Sequence, residues 1–179
     1  VNRYLKGFRP MIHDIDDENW MLLPNLKSGF DYLIEKNLSF DALVRPNHLK
    51  NLYVFANKYS ELKIVIDHIA KPLIATQDIG QWKADMKKLS QLENIYCKYS
   101  GILTEAGPNY NVERIKPYTD FIFETFDSCR LMWGSDWPVL TMAEQYPNWF
   151  DLAHELASGL SRSELNNLFR NTAEKFYQL

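Results

Sequence analysis

The sequence predicts an α/β fold built on a parallel sheet, and three observations carry that prediction. Short apolar runs alternate with helix-like patterns along the chain, about one pair every 30 residues. The run Leu62 to His68 has Ile64, Val65 and Ile66 consecutive at its centre, as in a strand buried on both faces under helices. Each apolar run also ends in a polar or punctuating group, and in parallel sheets the carboxyl ends of strands are where ligands bind.

Leu5 to Pro10 reads as a first short strand closed by proline. A helical segment over 23–36 opens at Pro24 and is followed by Asn37. Phe40 to Pro46 is the next strand, with a helix from about His48 to Lys58, and Leu62 to His68 follows. Ile79, Trp82, Met86 and Leu89 then fall at steps of three and four, one apolar stripe of a helix. Asn94 to Ser100 is strand again, then come a loop and a helix over about 111–127. Arg130 to Asp136 is the last strand, and helices near 142–158 and 163–178 close the chain. The second opens on Ser161-x-x-Glu164, a capping box.

These are five strand–helix units with strands beginning near residues 5, 41, 62, 94 and 130. The spacing matches an eight-unit barrel of ~250 residues, of which this chain is about three units short. An open doubly wound sheet of five strands accounts for the same periodicity with no missing piece. The 179 residues are 46% hydrophobic with a net charge of −3, which fits one globular domain over 1–179 and offers no basic surface for nucleic acid or an anionic membrane. No run is long and apolar enough for a signal peptide or a membrane span, so a cytoplasmic location is expected. Cys97 and Cys129 form no metal-binding spacing and sit beside apolar residues, so both are expected to be buried free thiols.

The strand ends supply the candidate site. Asp136, after an apolar strand and Gly134-Ser135, is a partly desolvated carboxylate suited to a general base or a metal ligand; a turn-forming aspartate is the alternative. His68 could bind metal or hydrogen-bond a substrate oxygen, or be a satisfied core histidine, and Asp67 is expected on the opposite side of the strand. Arg9 could neutralise a carboxylate through its planar fork, or form a salt bridge among the loops; Arg45 has the same options. His13, in the loop after the first strand, could reach a pocket mouth, whereas His48 and His154 fall on helices as surface or packing residues.

Five motifs in order resemble one family. They are Lys6 to Ile12 with Asp14-x-x-Asp17-x-x-Trp20, Val65 to Pro72, Cys97 to Ile102 with Thr104-Glu105-Ala106, Met132 to Val139, and a closing Asn171-x-Ala173-x-x-Phe176-Tyr177. Together they resemble the lactonase branch of the amidohydrolase superfamily, which includes sugar-lactone hydrolases and pyrone-dicarboxylate lactonase. The resemblance implies a distorted (β/α)8 TIM barrel whose fourth to eighth strands lie here. It implies that Asp136 activates the hydrolytic water, that His68 lies near the scissile carbonyl, and that Arg9 helps hold substrate. Ser100 and Trp137 are implied in the pocket wall, with His13 and Arg45 as further substrate contacts. Asp136 and His68 are the implied ligands if the site uses a divalent ion, zinc or manganese; metal-free catalysis is the other option.

The family's His-x-His pair is absent from this sequence, so the chain is expected to be the C-terminal part of a barrel without its first three strands. The partner expected is a small-molecule substrate, with a homo-oligomer left open. A metal-dependent decarboxylase of the same superfamily is the rival enzyme, and a non-catalytic partial barrel or binding module the rival from outside enzymology. The Ala-Lys-Pro after His68 and the Trp-Pro after Asp136 favour the lactonase.

Overall fold

Five parallel strands lie side by side in chain order: β1 (Gly7–Phe8), β2 (Ser39–Ala42), β3 (Ile64–Ile66), β4 (Ile95–Tyr99) and β5 (Leu131–Trp133). The structure, a computed structural model, describes residues 2–76, 78–107 and 109–179. Strictly sequential order decides between the two architectures that periodicity left open. A doubly wound sheet reverses its strand order at a switch point, and here no reversal occurs among the described residues. Winding always in one direction is how a (β/α) barrel wall is built. The chain is therefore α/β and forms five units of such a wall.

The helices α1 (Lys27–Glu35), α2 (Leu49–Lys58), α3 (Gly80–Ser90), α5 (Val112–Thr125) and α6 (Tyr146–Leu156) follow the strands in turn. Burial along β4 alternates, with Ile95, Cys97 and Tyr99 buried and Tyr96 and Lys98 less so. The first set points into the main apolar core with the helices, where Phe30, Phe40, Phe55 and Tyr59 meet ring to ring at 4.7–5.6 Å. Truncating one such buried ring to alanine costs about 3–5 kcal/mol. The other set lies on the second sheet face, where Val65, Met132 and Tyr96 pack against Phe176 of the closing helix α8 (Thr172–Tyr177). Gly7 is required for the first pairing, because a Cβ there would lie 2.0 Å from Ser39 Oγ.

The capping box forms as the sequence predicts: Glu164 N donates to Ser161 Oγ at 3.3 Å, and Ser161 N donates to Glu164 Oε2 at 2.8 Å. It starts α7 (Arg162–Asn166), which passes through a wide π turn at Asn167–Asn171 into α8. Two expectations need correction. The loop after β4 holds a short helix, α4 (Ile102–Ala106), started by left-handed Gly101. Cys129 is exposed, because Asp127 caps a 3-10 turn over Ser128–Arg130 that holds the thiol ahead of β5 rather than within it; Cys97 is buried.

Candidate active site

The strand ends bring Asp136 and His68 together. His68 follows β3 and Asp136 follows β5, yet Nε2 of the imidazole lies 3.5 Å from Oδ1 of the carboxylate. Neither position continues its strand. His68, Ile69, Ala70 and Lys71 have φ of 53, 46, 61 and 48°, one full turn in the left-handed region without a glycine. Left-handed backbone costs L-residues roughly 1–2 kcal/mol each, and a β-branched Ile69 there is a marked outlier. Tight packing and two hydrogen bonds hold the turn: Lys71 N donates to His68 O at 2.8 Å, and Trp82 Nε1 donates to Ile69 O at 2.8 Å. Strain of this kind gathers at functional sites, where the surroundings over-determine the geometry. Asp136 is left-handed too, at φ 57°, and its carbonyl accepts from Leu140 N at 2.9 Å.

Ser100, at the end of β4, fixes the imidazole through a 2.8 Å contact between its Oγ and His68 Nδ1. An ionised carboxylate only accepts, so Asp136 favours the proton on Nε2 and leaves Nδ1 to accept from the Ser100 hydroxyl. Gly101 lies directly against the ring, and a Cβ there would sit 2.6 Å from His68 Cβ. Burial, then the charges of Lys71, Lys98 and Arg9, lower the His68 pKa from 6.5 to about 3. The imidazole is therefore neutral at neutral pH. Burial raises the Asp136 carboxyl above its ordinary range, while Lys71 and Arg9 oppose that rise. A desolvated carboxylate beside a neutral imidazole places a proton acceptor next to a hydrogen-bond donor.

Beneath this pair lies an ionic cluster that sequence reading did not single out. Lys98 Nζ lies 2.6 Å from Asp41 Oδ2 and 2.7 Å from Asp67 Oδ1. Ser39 Oγ donates to Asp41 Oδ1 at 3.0 Å, and Tyr177 OH donates to Asp41 Oδ2 at 2.5 Å. Burial opposes the charge of Lys98, but Asp67 and Asp41 outweigh it and hold the ammonium ionised. Asp67 has no exposed surface, and its other charged neighbour is Arg9, with Nη1 at 3.9 Å. Arg9 itself is half exposed.

The remaining candidates are more peripheral. His13 Nε2 meets Asp14 Oδ1 at 3.1 Å, and exposed Arg45 donates Nε to His13 O at 3.4 Å. Trp137 is 66% exposed, projecting from the strand ends. His48 is buried, accepting through Nδ1 from Arg45 N at 3.1 Å, and His154 stacks on Phe169. Lys71 and Glu105 form an ion pair beside the site. Among the described residues no cluster of three or more His, Cys, Asp or Glu side chains could hold a metal ion. His68 Nε2 and Asp136 Oδ1 are close enough to serve as two ligands of one ion, and the Ser100 contact at Nδ1 is the outer-shell support that a metal-bound histidine uses.

A one-directional barrel wall carrying a carboxylate, an imidazole and an arginine at its strand ends is the layout in which barrel folds gather a ligand site. The chain belongs to the amidohydrolase family, whose model matches residues 2–179. It is 43% identical over 141 residues to a Burkholderia ambifaria protein named L-fucono-1,5-lactonase, covering 79% of this chain and 49% of the relative. A Burkholderia multivorans protein of the same name is 30% identical over 187 residues, covering 98% of this chain and 63% of the relative. The chain thus spans about half to under two thirds of the length of these relatives. Among solved structures, a Burkholderia multivorans amidohydrolase with bound zinc superposes with a TM-score of 0.92 at 29% identity, over 97% of this chain and 64% of that one. No helix among the described residues is long and apolar enough to cross a membrane.

Proposed function

We propose that the whole protein hydrolyses a lactone, with this chain supplying the base and the carbonyl-facing imidazole. The observation that carries the reading is the 3.5 Å approach of His68 Nε2 to Asp136 Oδ1 at the strand ends. The names of the two Burkholderia relatives point to an aldono-1,5-lactone as substrate class.

Asp136, ionised, takes a proton from a water held against it, and the water oxygen attacks the lactone carbonyl. His68 Nε2–H donates to the carbonyl oxygen as it becomes an oxyanion; Ser100 holds the ring in the tautomer that leaves this proton in place. The tetrahedral intermediate collapses with cleavage of the ring C–O bond. Protonated Asp136 returns its proton to the departing alkoxide, so one water is consumed and one hydroxy acid forms. Arg9, tethered by Asp67, orients a polar substituent of the substrate, and Trp137, His13 and Arg45 contribute to the outer wall. His68 and Asp136 would hold a divalent ion, zinc or manganese, given further ligands, and such an ion would polarise the carbonyl and lower the pKa of bound water. With an ion held there, the Ser100 hydroxyl would accept from Nδ1–H instead, a role a hydroxyl takes equally well.

The motifs match the fourth to eighth units of an eight-unit barrel, and the whole protein acts on a small molecule. The test is incubation of the whole protein with aldonolactones and with aromatic carboxylic acids. Acid release from the lactones without CO2 is the expected result. Evolution of CO2 from the aromatic acids, with intact lactones, would overturn it in favour of a decarboxylase.

A further inference from the structure

The mechanism above leaves one polar pair beside the site without a task. Lys71 closes the left-handed turn that carries His68, and its amide donates to His68 O at 2.8 Å. Glu105 lies on α4, which starts at Gly101, the residue packed against the His68 ring. The two side chains meet as an ion pair, and each is only 14–15% exposed. Their charges also reach the catalytic carboxylate: both act on Asp136, Lys71 more strongly. The pair therefore joins the turn that carries His68 to the helix that starts against its ring, next to the two strand-end groups.

An ammonium has three donors and a carboxylate about four acceptor positions. One contact between them uses a small part of that capacity. Among the described residues, neither side chain has a further polar partner. Polar groups this shielded are ordinarily satisfied by protein, water or ligand. The pair is neutral as a unit, so it exerts little net pull on an anionic substituent. It presents a donor and an acceptor on adjacent atoms, complementary to neighbouring hydroxyls, each of which can accept from Lys71 and donate to Glu105.

We propose that the Lys71–Glu105 pair reads vicinal hydroxyl groups of a polyhydroxylated substrate, making these residues specificity determinants for sugar lactones over simple lactones. This rests on the lactonase reading of the same site. It differs from a purely structural pair, which would pin α4 to the left-handed turn and affect all substrates alike.

The test compares kcat/KM of the whole protein for an aldono-1,5-lactone and for δ-valerolactone, which lacks hydroxyls, in wild type, Lys71→Met and Glu105→Gln. Loss of a hydrogen bond to a charged group lowers the ratio of the two values by about 10- to 100-fold. Lys71→Arg, which keeps donors and charge, recovers part of that ratio. A ratio unchanged in both Lys71→Met and Glu105→Gln, whether or not the absolute rates fall, overturns the proposal. Glu105→Gln keeps the shape of the pair and serves where Lys71→Met fails to fold. Calorimetric binding of the corresponding open-chain aldonate separates this claim from the lactonase reading. If wild type hydrolyses neither lactone yet binds the aldonate in a manner dependent on Lys71, the lactonase reading falls and the hydroxyl-reading pair stands. Aldonate binding that is absent, or unaffected by either variant, overturns the pair in that case.

Discussion

Gly101 and His68 are packed without room for a methyl group: a Cβ on the glycine would lie 2.6 Å from His68 Cβ and 2.7 Å from Cγ. The glycine is also left-handed, at φ 64°, so a side chain meets both a steric and a conformational penalty. Gly101→Ala should push the imidazole away from Asp136. Activity should fall sharply, and the melting temperature should drop by the equivalent of about 1–3 kcal/mol. An alanine variant with normal melting and turnover would show that His68 has more freedom than the geometry allows.

Ser100 holds the imidazole by a single 2.8 Å contact at Nδ1. Ser100→Ala removes that support while leaving the base in place. Turnover should fall by about 10- to 100-fold, the usual effect of losing such an orienting partner. The loss of stability should stay near 1 kcal/mol. Steady-state kinetics beside a denaturant titration checks both.

Acidification should destabilise the fold through His68. Its folded pKa of about 3 lies below the unfolded value of 6.5, so between these the unfolded chain binds more protons. Stability from this group is fully present above pH 6.5 and is lost progressively as pH falls through that window. Melting temperatures from pH 7 to 4 should decline, and a His68→Asn variant should decline less steeply. Parallel slopes would assign acid sensitivity elsewhere.

Lys98 stands between two buried carboxylates, 2.6 Å from Asp41 and 2.7 Å from Asp67. Breaking a buried ion pair by removing one partner costs about 3–5 kcal/mol. Lys98→Met should therefore lower stability by that order, measured by denaturant unfolding. Adding Asp67→Asn should recover part of the loss, because one uncompensated charge goes with it.

Much of the framework was legible because it rests on periodicity. All five strands, their parallel sense and the Ser161–Glu164 cap follow from apolar runs, helix stripes and capping chemistry, whereas the strand order, which separates a barrel wall from a doubly wound sheet, does not. What escaped has no local signature. The left-handed turn at His68 to Lys71 contains no glycine to announce it, and tertiary packing alone imposes it. Lys98 and Asp41 sit on strands two apart in the sheet, and alternation along each strand cannot reveal that the two side chains meet on one face. Helix α4 is five residues long, too short for an apolar stripe to show. The proximity of His68 and Asp136, 68 positions apart, came from strand-end logic and family resemblance together, and neither residue alone carried it.

Asp136→Asn in the whole protein tests the central claim most directly. Asparagine tolerates the left-handed backbone at this position, so the fold should survive and the melting temperature should barely change. An amide cannot take the proton of the attacking water. Lactone hydrolysis, followed as acid release at neutral pH, should fall by about 10²- to 10⁴-fold. A folded Asp136→Asn protein that hydrolyses lactone at near wild-type rate would contradict the assignment of Asp136 as the base.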